Sequence, residues 1–182
     1  LIVLKGFALR LTGCTLPGSR SFCDLDLLVA NEDLKALRTA VQADGWRESE
    51  LGGTEHQEAA LKHPELGMVE LHRAIPGVRL PGERRSVGAS ALLSRELALP
   101  CTGWPASVHV PARPILIAHA LEHGLVQHIG APHTYPLFRF LADLQDLRAQ
   151  AQDLEEAGTF LRDLDSEDLR AVSIALDALG QG

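Results

Sequence analysis

A chain of 182 residues has room for one domain, or for a compact domain with a helical extension. Its 46% apolar share, with moderate Gly and Pro, allows a buried core and argues against global disorder. The formal charge of −7 argues against a nucleic-acid or membrane coat, which needs a basic surface. It leaves room for a small acidic ligand held in a locally basic pocket.

Leu1–Leu4 is expected to be a short buried strand that stops at Lys5-Gly6. "GFALRLTG" has helical spacing, with Gly13 as the stop. "TLPGSRS" is a loop by its Pro-Gly and serines, and Asp24–Val29 is the second strand. Asn31 is a good N-cap, Glu32 and Asp33 suit the positive end of a helix dipole, and Leu34, Leu37 and Val41 recur at helical intervals up to Gly45. Glu55–His63, the turn "PELG" and "MVELHRA" form a β-hairpin with Glu70 and His72 on one face. "IPGVRLPGERRSVG" is expected to be a mobile loop and Ala89–Leu97 a short helix. The Pro-interrupted "LPCTGWPASVHVPARP" then leads into helices at Ile115–His128, Pro136–Ala151 and Ser166–Leu179. These elements predict an α+β fold: a small mixed sheet flanked by helices in residues 1–110, then a helical region in 111–182. A cleft between the two is expected, with His119, His123 and Arg139 as candidate lining residues.

Cys14, Cys23 and Cys101 are odd in number and lack a paired metal spacing, so they are expected to be reduced thiols in a cytoplasmic protein. No stretch is long enough to cross a bilayer, and "LIVL" is too short for a signal-peptide core. Leu1 is not a Met, which leaves room for residues upstream.

The chemistry concentrates in "RSFCDLDLLV", residues 20–29. In an extended chain Asp24 and Asp26 project from one face about 7 Å apart, while Leu25 and Leu27 point the other way. Two such anions repel, and water, basic side chains or a metal ion must compensate them. The plain alternative is a solvated face, or an edge strand whose charges prevent pairing with other chains.

Strand, Lys-Gly, short helix, Ser19-Arg20 loop, Asp24-Leu-Asp26 strand and a later strand with Glu70 together resemble the nucleotidyltransferase superfamily that includes DNA polymerase beta. More closely, "VLKGFALRL", "GSRSFCDLDLLV" and "MVELHR" are similar to a family of uncharacterised bacterial nucleotidyltransferases, and "FRFLADLQDL" resembles that family's C-terminal helical segment. The resemblance implies transfer of a nucleoside monophosphate from a nucleoside triphosphate such as ATP to an acceptor hydroxyl, small-molecule or macromolecular. It implies that Asp24 and Asp26 ligate Mg2+ (or Mn2+), with Glu70 holding the metal nearest the acceptor or acting as base. Gly6 would let backbone approach phosphate, with Lys5, Ser19 and Arg20 as the other phosphate-binding candidates. The commoner superfamily turn is Gly-Gly or Gly-Ser, and Lys5 stands here in place of its first small residue. In the plainer reading Lys5 pairs with an acid, Arg20 braces its loop on Asp24 or Asp26, and His72 is a structural histidine or orients Glu70.

Two other classes compete. A nucleotidyltransferase-like domain that only binds nucleotide or a partner would not need all three acids, yet all three positions are filled. "HALEH" matches the inverted zinc-protease pattern, with His119 and His123 as ligands and Glu122 as base. Its third ligand would have to come from His128, on another helical face, or from His133 past a turn. Scarce aromatic residues and the acidic charge argue against a long single-stranded nucleic-acid track.

Overall fold

The computed structural model describes residues 1–14, 24–49, 56–127 and 137–180. They form two compact units, Leu1–Ile75 with Val87–Pro111, and Pro76–Ser86 with Ala112–Gly182.

The first unit runs β1 (Ile2–Val3), α1 (Lys5–Leu11), β2 (Asp24–Leu28), α2 (Asn31–Ala43), β3 (Arg47–Glu48), β4 (Gln57–His63), β5 (Gly67–His72), α3 (Ala89–Ser94), β6 (Ala98–Pro100) and β7 (His109–Pro111). Among the described residues the strands make one seven-stranded mixed sheet in the order β3-β4-β5-β2-β1-β7-β6. The expected α+β class holds, with a larger sheet than the sequence reading allowed. β2 lies in the middle, antiparallel to β1 and parallel to β5. That position explains its burial: Leu27 and Leu28 join Ile2, Leu4, Leu61 and Leu71 in the core. It also removes the edge-strand explanation for Asp24 and Asp26, because β2 has a hydrogen-bonded neighbour on each side.

The edges are protected by other means. β3 is two exposed charged residues, Arg47 and Glu48, and β6 ends in Pro100. β3, β6 and β7 were not expected from the sequence. Pro100 and Pro111 made the β6–β7 hairpin look like loop, but proline is tolerated on an edge strand and at a strand end. The capping expectation at Asn31 shifts by one residue: Ala30 is the N-cap, and Asn31 is already helical. Glu32 and Asp33 do fall in the first turn, where the dipole favours them. The predicted helix at Ala89–Leu97 ends at Ser94, and Glu96 takes a φ of 57°.

The second unit contains α4 (Arg113–Leu121), a π-helical turn (Glu122–Gln127), α5 (Leu137–Asp146), α6 (Ala151–Gly158) and α7 (Ser166–Gly180). The helix expected over Pro136–Ala151 breaks after Asp146, where Arg148 adopts a φ of 50°. Arg113 stabilises the break: its guanidinium donates to the Leu147 carbonyl, to the Arg148 carbonyl at 2.7 Å, and to Asp153 at 3.0 Å. In the π-turn Gly124 lies against the Phe140 ring, where a Cβ would collide. In the segment Ile75–Gly88, expected to be a mobile loop, Ile75, Val78, Leu80 and Val87 are buried while Pro81, Gly82, Arg84 and Arg85 are exposed. Val78 and Leu80 are 0% and 1% exposed, and the Arg79 backbone N–H donates to the Phe160 carbonyl at 2.8 Å. Their alternation of apolar and polar residues is the signal that the proline and glycine content concealed. Among the described residues no helix is long and apolar enough to cross a membrane.

Candidate active site

β2 and β5 pair in parallel with Asp26 opposite Glu70 and Leu28 opposite His72. Residues paired this way share a face, so two carboxylates and an imidazole converge from neighbouring central strands. β4 sets Ala60 opposite Glu70, a small residue beside the acid. The Asp26 side chain is 3% exposed, and a carboxylate buried so deeply needs charged or hydrogen-bonding partners. It has two. Lys5 Nζ lies 2.6 Å from Asp26 Oδ1, and His72 Nε2 lies 2.8 Å from the same oxygen. Both groups also approach Glu70 Oε2, Lys5 at 3.8 Å and His72 at 3.5 Å.

Electrostatics follow from this arrangement. Burial by itself would raise the Asp26 pKa, but the His72 hydrogen bond and the Lys5 charge hold it well below the usual carboxylate range. Burial would lower the His72 pKa, and its bonds to Asp26 and Glu70 overcome that and raise it. Lys5 is likewise raised, burial opposing and Asp26 prevailing. Asp24, half-buried on the same strand face as Asp26, is raised by burial and then by repulsion from Asp26. The cluster therefore holds one carboxylate whose pKa its partners lower beside another whose pKa burial and repulsion raise.

Lys5 occupies an unusual backbone position, with a φ of 48° at the start of α1. The left-handed region costs a non-glycine residue about 1–2 kcal/mol. In the superfamily signature named above the first turn residue is glycine, and the strain in this chain falls on the lysine that replaces it. Gly6 is buried within α1.

A divalent metal fits the donor set. Ligand atoms of Asp26, Glu70 and His72 all lie within 4.8 Å of one another, among the described residues the one such group of three. Among the described residues His72 Nδ1 is buried without a hydrogen-bond partner, while Nε2 is the imidazole atom bonded to Asp26. Asp24 is not in that group, and His72 is, which differs from the Asp24, Asp26 and Glu70 set expected from the sequence. Ser19 and Arg20 lie outside the described residues, as do Cys23, His128 and His133.

The histidine pattern of α4 does not form a comparable set. His119 is 4% exposed, its ring centroid is 6.1 Å from that of His123, and His123 Nδ1 is 3.1 Å from Gln127 Oε1. Glu122 turns its carboxylate onto the backbone of Gly77. These side chains are occupied in the packing of the second unit, and Arg139 sits half-buried on α5.

A lysine at the head of a short helix, two acids on a central strand and a third acid in register beside them form a charged cluster whose Asp26, Glu70 and His72 could hold a metal ion. The chain belongs to the family of uncharacterised nucleotidyltransferases, whose family model matches residues 1–175. Membership places it among enzymes. No curated protein matches it. Among solved structures it is similar to the antibiotic-resistance factor ANT(2'')-Ia, at 14% identity and a TM-score of 0.47, over 99% of this chain and 83% of that one.

Proposed function

We propose that this chain is a metal-dependent nucleotidyltransferase that moves a nucleoside monophosphate from a nucleoside triphosphate, such as ATP, to an acceptor hydroxyl. The observation that carries the reading is the in-register pair Asp26–Glu70 on adjacent central strands, with Asp24 on the same face. Such a concentration of negative charge inside a sheet is costly for the fold and useful for holding cations.

Asp24, Asp26 and Glu70 would hold Mg2+ (or Mn2+), with His72 fixing the Asp26 carboxylate by its hydrogen bond. When bound, the metal supplies neutralisation of the triphosphate and a lower pKa for the attacking hydroxyl. Lys5 supplies a cation for the phosphates, and Arg20 and Ser19 are assigned there on sequence grounds. Glu70, the more exposed of the paired acids with 19% of its side chain accessible against 3% for Asp26, faces the acceptor and takes its proton. We place the enzyme in the cytoplasm on the odd cysteine count of the sequence.

Calorimetry with ATP, GTP, CTP and UTP, each with and without Mg2+, tests this reading. The unaltered protein is expected to bind a triphosphate only when the metal is present. The Asp24→Asn/Asp26→Asn variant is expected to lose at least about tenfold in that affinity, or 1.4 kcal/mol. Equal binding by the variant would remove the reading's main support.

A further inference from the structure

Lys5 lies where a metal ion should. Its ammonium is 2.6 Å from Asp26 Oδ1 and 3.8 Å from Glu70 Oε2, the two carboxylates that form the in-register pair. A divalent ion bound through those oxygens would sit within a few ångströms of the ammonium and repel it. The lysine reaches that place from a left-handed backbone, and such strain persists only where surrounding interactions hold it. We propose that Lys5 is the resident counter-cation of the acidic cluster, that the metal ion displaces it, and that the released ammonium then meets the triphosphate.

The proposal rests on the nucleotidyltransferase reading and adds an order to it. In the absence of metal the ammonium neutralises carboxylates that would otherwise repel one another in a buried position. When the metal arrives the carboxylates no longer need the lysine. The side chain, still 26% accessible, is then free to turn towards an anion. Metal binding and phosphate capture become coupled through one residue, so that the phosphate-binding cation is exposed only after the metal is in place. A lysine with only a phosphate-binding role would leave affinity for the metal alone unchanged. One with only a bracing role would, when removed, disorder the cluster and weaken the metal. Displacement predicts the opposite sign.

Mn2+ alone is the probe, its free concentration read by electron paramagnetic resonance. The Lys5→Met protein is expected to bind Mn2+ on the order of tenfold tighter than the unaltered protein, because no resident cation competes. The same protein should bind Mn2+-triphosphate no tighter, having lost its phosphate cation. A second measurement uses the unaltered chain and so does not depend on the variant folding. The chain has three lysines, Lys5, Lys35 and Lys62, and brief amine acylation with peptide mass analysis reports each of them. Mn2+ should speed acylation of Lys5 severalfold while Lys35 and Lys62 stay constant, and adding triphosphate should slow it again. Equal or weaker Mn2+ binding by folded Lys5→Met, or a Lys5 acylation rate indifferent to Mn2+, overturns the displacement. If the unaltered protein still binds triphosphate in a metal-dependent way, the displacement alone has failed. If it binds neither metal nor triphosphate, the nucleotidyltransferase reading has failed with it.

Discussion

Glu122 places a carboxyl group against the backbone of Gly77, whose φ of 68° and missing side chain make the space. Its Oε2, and Nε and Nη1 of Arg79, are buried without a hydrogen-bond partner among the described residues. Burial, and then the charge of Asp163, push the Glu122 pKa up to about 7, with Arg79 opposing. The folded state therefore keeps a proton that the unfolded chain has released, and stability falls as pH rises from about 4.5 to about 7. We expect this group to contribute a decline on the order of 2 kcal/mol across that window. The His72 contribution has a later window: its raised pKa means stability present below 6.5 and lost as pH rises through the folded value. Urea unfolding of the unaltered protein and of Glu122→Gln at a series of pH values separates the two. The variant should lack the lower part of the slope and keep the upper. Equal slopes would show that Glu122 ionises normally.

Single residues also mark where sequence reasoning reached the site and where it stopped. Asp24 and Asp26 were legible because alternation in a strand is a local rule. The pairing of Lys5 with an acid could be named as an alternative but not preferred, because its partner lies across the β1–β2 pair. His72 was visible as a neighbour of Glu70, yet its bond runs to Asp26 on the adjacent strand. That bond depends on the parallel register between β5 and β2, which no local pattern encodes.

β2 is the element on which the site depends. Leu28 is fully buried, paired with Ile2 on one side and with His72 on the other. Leu28→Ala should cost about 2–5 kcal/mol, read as a shift in the denaturant midpoint. It should also weaken metal-dependent triphosphate binding, because the strand that aims Asp26 loses its packing. A midpoint shift below about 1 kcal/mol would mean that β2 is held mainly by its backbone ladder. Elements with a strong period, α1, β2, α2, β4, β5 and α7, were readable. β6 and β7 were not, since three residues each with a proline carry no usable period and become strands only by pairing with one another and with β1. α6 was not expected, and the helix read over Pro136–Ala151 ran past the end of α5 because the break at Arg148 is held by Arg113, 35 residues earlier in the chain.

Each unit is assembled from two stretches of chain, and the second contains Pro76–Ser86 as well as Ala112–Gly182. Val78 and Leu80 are buried, Arg79 is bonded to Phe160, and Gly77 receives Glu122. A fragment spanning residues 112–182 should consequently melt without cooperativity by circular dichroism, and tethering residues 76–86 to it through a flexible linker should restore a cooperative transition. Cooperative melting of the shorter fragment would show that the 76–86 segment is dispensable to the helical core.

Strand alternation and helical period were enough for the α+β class and for placing Asp24 and Asp26 on one face, because each depends on residues a few positions apart; the family and the part of Glu70 came from the resemblance of separate motifs. The centrality of β2, the convergence of Lys5 and His72 on one oxygen of Asp26, and the burial of Val78 and Leu80 required the folded chain. Each of these joins residues far apart in sequence, and neither the strand register nor the side-chain partner across it is set by local propensity.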